Sequence, residues 1–256
     1  MVEKGLAIIT GATAGIGEAT AELLAIEGYD LILTGRRKDR LEALAKRLGA
    51  NGNSILPLCF DVSNKGEVES SIKEIEAKLS SVTILINNAG LALGTDLIPT
   101  ADLADWDQMI DTNVKGLLYM TRLIVPHMIR NKSGHIINIG SVAGRWSYRG
   151  GAVYCATKFA VRAISEGLRM DIAGSGVRVT NIEPGMVDTE FSVVRFGDEK
   201  RALAVYEGLE VLSAKDIAEC ILWTLTRPPH VNIQEMVVFP TDQAAVGQVH
   251  RRGEKE

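Results

Sequence analysis

Cysteine and histidine are scarce in the sequence, and neither follows a ligand spacing. The three cysteines, Cys59, Cys155 and Cys220, form no CxxC pair, and the four histidines lie at no metal-binding interval from them. An odd number of scattered cysteines argues against a disulfide framework and is typical of small side chains buried in a reducing compartment. We therefore expect no metal site.

Long apolar runs and an excess of positive charge are also missing. No apolar stretch approaches the ~20 residues that span a bilayer, and residues 1–5 lack the layout of a signal peptide. Acidic residues outnumber basic ones by 32 to 28, which gives a net charge of −4. These absences argue against a membrane protein and against a nucleic-acid-binding surface, and they lead us to expect a cytoplasmic protein.

Aromatic residues make up only 5% of the chain, whereas short aliphatic runs are frequent. Runs rich in Ile, Leu and Val predict buried strands at residues 6–10, 30–34, 55–60, 84–86, 135–139, 177–182 and 236–239. Helical periodicity predicts helices between them, at residues 16–27, 39–48, 66–79, 106–130, 152–173 and 214–226. Because strands alternate with crossover helices, the pattern predicts a doubly wound, Rossmann-type α/β fold with helices on both faces of a parallel sheet.

The alternation continues along almost the whole chain without a linker or an internal repeat. We therefore expect a single domain over residues 1–256. Residues 186–209 lack strand character and are predicted to form a flap over the active site, and the charged residues 251–256 are predicted to fray. Ligands of such sheets bind at the carboxyl ends of the strands.

A glycine-rich turn follows the first predicted strand and leads directly into a helix. It reads Thr10-Gly11-Ala12-Thr13-Ala14-Gly15-Ile16-Gly17. Glycines in such a turn bring backbone N–H groups close to a pyrophosphate at the helix N-terminus. The spacing differs from the commonest dinucleotide motif, and a purely structural turn is the alternative. Its place between the first strand and the first helix favours a nucleotide site.

The second predicted strand ends in a basic segment. An NAD site commonly has Asp or Glu here to bind the ribose hydroxyls, whereas this chain has Arg36, Arg37 and Lys38. A guanidinium can bind the 2′-phosphate of NADP through paired hydrogen bonds, and a carboxylate would repel that phosphate. A solvated basic turn is the alternative. Together with the glycine turn, the segment favours NADP.

A serine, a tyrosine and a lysine follow the fifth predicted strand. Ser141 comes shortly after it, and Tyr154 and Lys158 lie one turn apart on one face of the next helix. A free tyrosine has a pKa of about 10, which a neighbouring ammonium and a positively charged nicotinamide would lower. Tyr154 could then exchange a proton with an alcohol or a carbonyl, while Ser141 orients the reacting oxygen.

These motifs, with several others, resemble those of the classical short-chain dehydrogenase/reductase family. In the family's order they are Thr10 to Gly17, Asp61-Val62, Asn87-Asn88-Ala89-Gly90, Asn113, Ser141, Tyr154 with Lys158, and Pro184-Gly185 followed by Val187 and Thr189. The resemblance covers nearly the full chain. It implies a seven-stranded sheet in the order 3-2-1-4-5-6-7 and hydride transfer to or from a nicotinamide.

The resemblance also implies a role for each matching residue. Tyr154 corresponds to the acid/base, and Lys158 to the residue that lowers its pKa and binds the nicotinamide ribose. Ser141 corresponds to the residue that orients the substrate oxygen, and Asn113 to one that holds a water in the proton relay. The implied NADP-binding residues are Gly11, Thr13, Ala14, Gly15, Ile16, Gly17, Arg36, Arg37, Asp61, Val62, Asn88, Ala89, Gly90, Tyr154, Lys158, Pro184, Gly185, Val187 and Thr189.

A narrower resemblance joins residues 88–94, 189–196 and 240–244 to the NADP-dependent 3-hydroxy acid dehydrogenases. It implies oxidation of serine, allo-threonine and similar 3-hydroxy acids, reduction of the matching 3-oxo compounds, and a homotetramer. A substrate carboxylate needs a cation in the site, and Arg195 and Arg145 are the candidates. A surface ion pair of Arg195 with Glu190 or Asp198 is the alternative.

Three other functions stay open on the sequence. A carbonyl reductase of the same family would act on a ketone, a semialdehyde or a 3-oxo ester. A nucleotide-sensing or scaffold protein that has lost catalysis would be expected to lack Ser141, Tyr154 or Lys158, and all three are present. A metal enzyme has no ligand cluster to support it.

Overall fold

A seven-stranded parallel sheet forms the centre of the protein, in a computed structural model that describes residues 5–50 and 52–253. The strands are β1 (Leu6–Ile9), β2 (Asp30–Gly35), β3 (Ile55–Cys59), β4 (Val82–Asn87), β5 (Gly134–Ile139), β6 (Val177–Pro184) and β7 (Glu235–Val238). Their order across the sheet is β3-β2-β1-β4-β5-β6-β7, and every neighbouring pair is parallel. The doubly wound α/β fold and the expected strand order are confirmed.

Helices cover both faces of this sheet. They are α1 (Gly15–Ile26), α2 (Lys38–Gly49), α3 (Lys65–Glu74), α4 (Leu103–Ile110), α5 (Leu117–Arg130), α6 (Ala152–Asp171), α7 (Phe191–Phe196), α8 (Glu199–Tyr206) and α9 (Ala214–Leu225). Side-chain caps begin several of them: Asn64 accepts from two N–H groups at the start of α3, and Ser213 forms a capping box with Asp216 at α9. Within the described ranges, no helix is both long and apolar enough to cross a membrane.

Successive residues of each strand pack against opposite helical layers. Ile9 and Leu33 belong to the core under α1, α2 and α9, whereas Ile8 and Ile32 belong to the core under α3 and α5. All four side chains are almost completely buried. Burial on both faces explains why the strands appear in the sequence as continuous apolar runs instead of alternating patterns.

The helix predicted over residues 106–130 is longer and less regular than expected. Helical structure begins at Leu103 and continues to Arg130, but Asp111–Gly116 forms a π-helical segment. Gly116 allows a close approach here, since a Cβ at this position would lie 2.9 Å from Cγ2 of Val62. Single π-helical turns within α-helices often occur at functional sites, and this one contains Asn113.

The segment predicted as a flap carries two short helices, α7 and α8. Gly197, with φ of +61°, joins them. Two-residue strands, Val187–Asp188 at the start of the segment and Leu212–Ser213 just after its end, pair in parallel. The segment therefore leaves and rejoins the fold at one place, as a loop must if it is to move as a unit.

The fraying of residues 251–256 stays a prediction, and residues 254–256 lie outside the described ranges. The backbone N–H of Arg252 donates to the carbonyl oxygen of Gly208 at 2.7 Å, and its guanidinium pairs with Asp242 at 3.0 Å. Arg251 donates to the carbonyl oxygen of Val205 at 3.3 Å. Arg251 thus contacts the end of α8, and Arg252 contacts Gly208 and Asp242 while its side chain stays more than half exposed.

Candidate active site

A cleft of about 320 Å³ opens where the carboxyl ends of the strands meet, the usual ligand position in such a sheet. It is lined by all but one of the predicted cofactor-binding residues, namely Gly11, Thr13, Ala14, Gly15, Ile16, Arg36, Arg37, Asp61, Val62, Asn88, Ala89, Gly90, Tyr154, Lys158, Pro184, Gly185, Val187 and Thr189. The exception is Gly17. In the part of the chain that the structure describes, no group of three or more His, Cys, Asp or Glu side chains could hold a metal ion.

The glycine-rich turn has no room for a side chain at its three glycine positions. Gly11 and Gly15 have φ of +66° and +56°, and a Cβ on Gly11 would lie 2.9 Å from Cα of Ala89. A Cβ on Gly17 would lie 2.3 Å from the carbonyl oxygen of Gly11. Gly17 therefore lets α1 pack against the turn and does not line the cleft, and its contact with a cofactor stays a prediction.

The end of β4 holds the glycine-rich turn in place. The side-chain amide of Asn88 donates to the carbonyl oxygens of Thr10 and Gly11 at 2.9 and 3.1 Å. The Thr10 hydroxyl accepts from the backbone N–H groups of Asn88 and Ala89, each at 3.0 Å. Two motifs about 80 residues apart in sequence thus form one continuous wall.

The end of β2 and the start of α2 carry three arginines, one more than expected. Arg36 is half exposed and pairs with Asp61 at 3.5 Å. Arg37 donates to the glycine-rich turn, and both Arg37 and Arg40 pair with Glu190 at 2.6 Å. Helical spacing could have identified Arg40, since it lies one turn beyond Arg37. Three guanidinium groups against two carboxylates leave positive charge that fits a 2′-phosphate.

Helix α6 brings Tyr154 and Lys158 to the opposite wall of the cleft, beside Ser141. The ammonium of Lys158 donates to the carbonyl oxygen of Ile139 at 2.8 Å and lies 5.9 Å from the centre of the Tyr154 ring. The hydroxyl of Ser141 accepts from the N–H of Ala143 at 3.1 Å. The turn after β5 and the first two turns of α6 thus bring the three predicted side chains together.

Asn113 lies behind this wall and does not line the cleft. Its side-chain oxygen accepts from the N–H of Leu91 at 2.9 Å, and its amide donates to the carbonyl oxygen of Leu91 and the hydroxyl of Thr157, at 2.8 and 3.0 Å. The π-helical segment thus fastens the chain after β4 to α6. The sequence does not reveal these partners, because they lie 22 and 44 residues away.

Burial dominates the electrostatics of the tyrosine and the lysine. It raises the pKa of Tyr154, against the smaller opposing effects of the Ser141 hydroxyl and the Arg195 charge. Burial also lowers the pKa of Lys158 to about 8, because a buried ammonium loses its hydration. The nearby cation that opposes this effect of burial on Tyr154 is Arg195, and the lowering of the Tyr154 pKa by Lys158 together with a bound nicotinamide stays a prediction.

Arg195 faces a small pocket beside Tyr154. Its guanidinium donates to the hydroxyl of Tyr148 at 2.8 Å and to the carbonyl oxygen of Gly94 at 3.2 Å, and its central carbon lies 6.0 Å from the centre of the Tyr154 ring. Arg195 does not form the surface ion pair with Glu190 that was the alternative, because Glu190 binds Arg37 and Arg40 instead. Arg195 is therefore a cation held by neutral groups next to the tyrosine.

Arg145, the other candidate for a substrate carboxylate, is directed elsewhere. Its guanidinium forms ion pairs with Glu183 and Glu235, and it lines neither the cleft nor the pocket beside Tyr154. The expected substrate contact is thus not supported, because two carboxylates already neutralise this arginine.

Comparisons with known proteins agree with this geometry. A family model described as short chain dehydrogenase matches residues 5–200. The chain is 47% identical to the NADP-dependent 3-hydroxy acid dehydrogenase YdfG of Salmonella typhi, over 96% of this chain and 99% of that protein. It is 44% identical to the serine 3-dehydrogenase of Agrobacterium fabrum, over 97% and 99%. The solved closed form of a serine dehydrogenase complexed with NADP+ matches with a TM-score of 0.90 and 46% identity, over 96% of this chain and 100% of that one.

The buried lysine predicts a pH-dependent stability difference. An unfolded chain holds the Lys158 proton up to about pH 10, and the folded one only to about pH 8. The unfolded state binds more protons between these values, so this group makes the protein more stable as pH rises. We expect the free energy of unfolding of the wild type, relative to that of Lys158→Met, to rise by about 2 kcal/mol between pH 7 and pH 10.

Urea unfolding of both proteins at several pH values measures this gain. The exposed Lys38 provides a control, because Lys38→Met should follow the wild-type pH curve. Parallel curves for the wild type and Lys158→Met would contradict the assignment of a buried ammonium at this position.

Proposed function

Because the chain belongs to the short-chain dehydrogenase family, we propose that it is an NADP-dependent oxidoreductase of small 3-hydroxy acids. It transfers a hydride between the carbon bearing the 3-hydroxyl of serine, allo-threonine or a similar acid and NADP. One observation carries the proposal: a tyrosine, a lysine and a serine share a cleft with an arginine cluster, and a further arginine lies beside the tyrosine. The names of the relatives point to the same substrates and cofactor.

Tyr154 is the proton acceptor of the oxidation in this proposal. Ser141 holds the substrate hydroxyl next to the phenol. Tyr154 takes the proton of this hydroxyl while the carbon that bears the hydroxyl loses a hydride. When bound, NADP+ would supply the hydride acceptor and a positive charge that favours the phenolate. Lys158 binds the nicotinamide ribose and passes the proton on, with Asn113 holding a water on that path. In reduction, Tyr154 donates the proton to the carbonyl oxygen.

The remaining site residues bind and select the ligands. Arg36 and Arg37 bind the 2′-phosphate, which a carboxylate at the tip of β2 would repel. The glycine-rich turn and residues 88–90 approach the phosphates and the ribose, and Asp61 meets the adenine. Residues 184–189 approach the nicotinamide end.

The substrate carboxylate binds Arg195 in this proposal. Its guanidinium is already oriented by Tyr148 and Gly94, so little conformational entropy is lost on binding. Residues 186–209 close over the bound substrate as a flap and exclude water. The protein acts as a single domain in the cytoplasm, assembled as a homotetramer.

The cofactor preference is tested by comparing NADP+ with NAD+ in serine oxidation. We expect the wild type to prefer NADP+, and Arg36→Ala to raise the KM for NADP+ by about tenfold or more through the lost charge-assisted hydrogen bonds. The KM for NAD+ should change little. Lys38→Ala is the matched control, since Lys38 lies two residues away and points into solvent. An equal loss for both cofactors in Arg36→Ala would refute the phosphate contact.

The substrate class is tested with serine and a neutral secondary alcohol. Arg195→Ala should lower kcat/KM for serine by about 30-fold, which corresponds to about 2 kcal/mol for a hydrogen-bonded charge pair, and should spare the neutral alcohol. Arg201→Ala removes another flap arginine, which stacks on Phe196 and lines neither cavity. This control should resemble the wild type. If Arg195→Ala loses the same factor on both substrates, the carboxylate role is wrong and a carbonyl reductase of neutral compounds is favoured.

A further inference from the structure

A cluster of four charges lies behind the turn that carries Ser141. Arg145, at the end of this turn, pairs with Glu183 and Glu235, and Glu235 also binds Arg162 of α6 at 3.1 Å. Glu183 has no exposed surface, and its other oxygen accepts from the amide of Asn181 at 2.7 Å. The two positive and two negative charges balance. They join the turn after β5 to β6, β7 and α6.

The turn is packed so closely against its neighbours that two of its glycines have no room for a side chain. A Cβ on Gly140 would lie 2.6 Å from Oδ1 of Asn181 and 3.0 Å from Cγ of Glu183. A Cβ on Gly144 would lie 2.7 Å from the carbonyl oxygen of Lys158. The chain on both sides of Ser141 therefore rests directly on the carboxylate-bearing strand and on the helix backbone at Lys158.

A buried carboxylate without a partner is strongly unfavourable, so Glu183 requires a cation close to it. The forked guanidinium of Arg145 meets this requirement while reaching a second strand, which the single ammonium of a lysine could not do in the same way. The position of residues 141–145 is thus set by a charge requirement in the core.

We propose that Arg145 and Glu183 are positioning residues of the active site. Their ion pair sets the distance between the Ser141 hydroxyl and the phenol of Tyr154 by fixing the turn against β6 and α6. This inference rests on the proposed function. It assigns Arg145 a role different from substrate binding and gives a function to an acidic residue that the reaction itself does not use.

If the Arg145–Glu183 pair positions Ser141, its loss should lower turnover more than it lowers the affinity for the substrate. Displacing Ser141 by a fraction of an ångström misaligns the reacting hydroxyl and slows the chemical step. Arg195, which we propose binds the substrate carboxylate, has none of its contacts with the cluster. The KM for serine should therefore change little while kcat falls.

The test uses Arg145→Met, Glu183→Gln, the double variant Arg145→Met/Glu183→Gln, and Arg145→Lys. Arg162→Met is the control, since Arg162 belongs to the cluster but forms its ion pair with Glu235 and not with Glu183. For each protein, kcat and KM for serine are measured with saturating NADP+, along with urea unfolding and the isotope effect on kcat with serine deuterated at C3. Arg145→Met leaves the buried Glu183 without its cation, whereas the double variant also removes that carboxylate, so it should recover much of the stability lost in Arg145→Met.

We expect kcat of the double variant to stay about tenfold to a hundredfold below wild type despite that recovery, with a larger isotope effect and an almost unchanged KM. Arg145→Lys should show the same kcat defect in a weaker form, and Arg162→Met should keep wild-type kcat. Recovery of full kcat in the double variant would overturn the proposal, as would unfolding of all four Arg145 and Glu183 variants, because the pair would then serve stability alone. Absence of serine turnover in the wild type would overturn the proposed function itself.

Discussion

The burial of Tyr154 and Lys158 within one helical turn is the constraint on which the rest of the site depends. Burial disfavours the charged form of both side chains, so it raises the pKa of the phenol and lowers that of the lysine to about 8. A buried pair of this kind cannot act as a base on its own. Its surroundings must supply positive charge and hydrogen bonds where the reaction needs them, and these come from other elements.

The parallel sheet brings those elements together. The glycine-rich turn after β1, the arginines after β2, the segment after β4 and the serine after β5 are far apart in the chain, yet all end at one edge of the sheet. One wall of the cleft consists of backbone and arginines and fits a phosphorylated dinucleotide. The other wall carries Tyr154 and leads to Arg195. A hydride acceptor and a hydroxy acid would therefore meet in front of the phenol.

Features encoded locally in the sequence were predictable. Buried strands and helices followed from short aliphatic runs and helical periodicity, whereas the strand order was implied by the family resemblance. The partners of single side chains were not predictable. Arg145 could serve a substrate by its position in the sequence, but Glu183 and Glu235 neutralise it. The predicted end of β6 at residue 182 was too early, since the strand continues through Glu183 and Pro184. The sequence did not indicate this extension, because an acid and a proline are poor strand formers unless a specific partner or an edge accommodates them.

The effect of burial on the tyrosine was also invisible in the sequence, where spacing alone suggested a lysine that lowers its pKa.

The central claim is that Tyr154 transfers the proton, and kinetics of Tyr154→Phe with serine and NADP+ test it most directly. Removal of the hydroxyl should lower kcat by about a hundredfold or more, while the affinity for NADP+, measured by titration of the protein's fluorescence, stays within about twofold because the arginines and the glycine-rich turn are intact. Turnover at the wild-type rate in Tyr154→Phe would contradict the account.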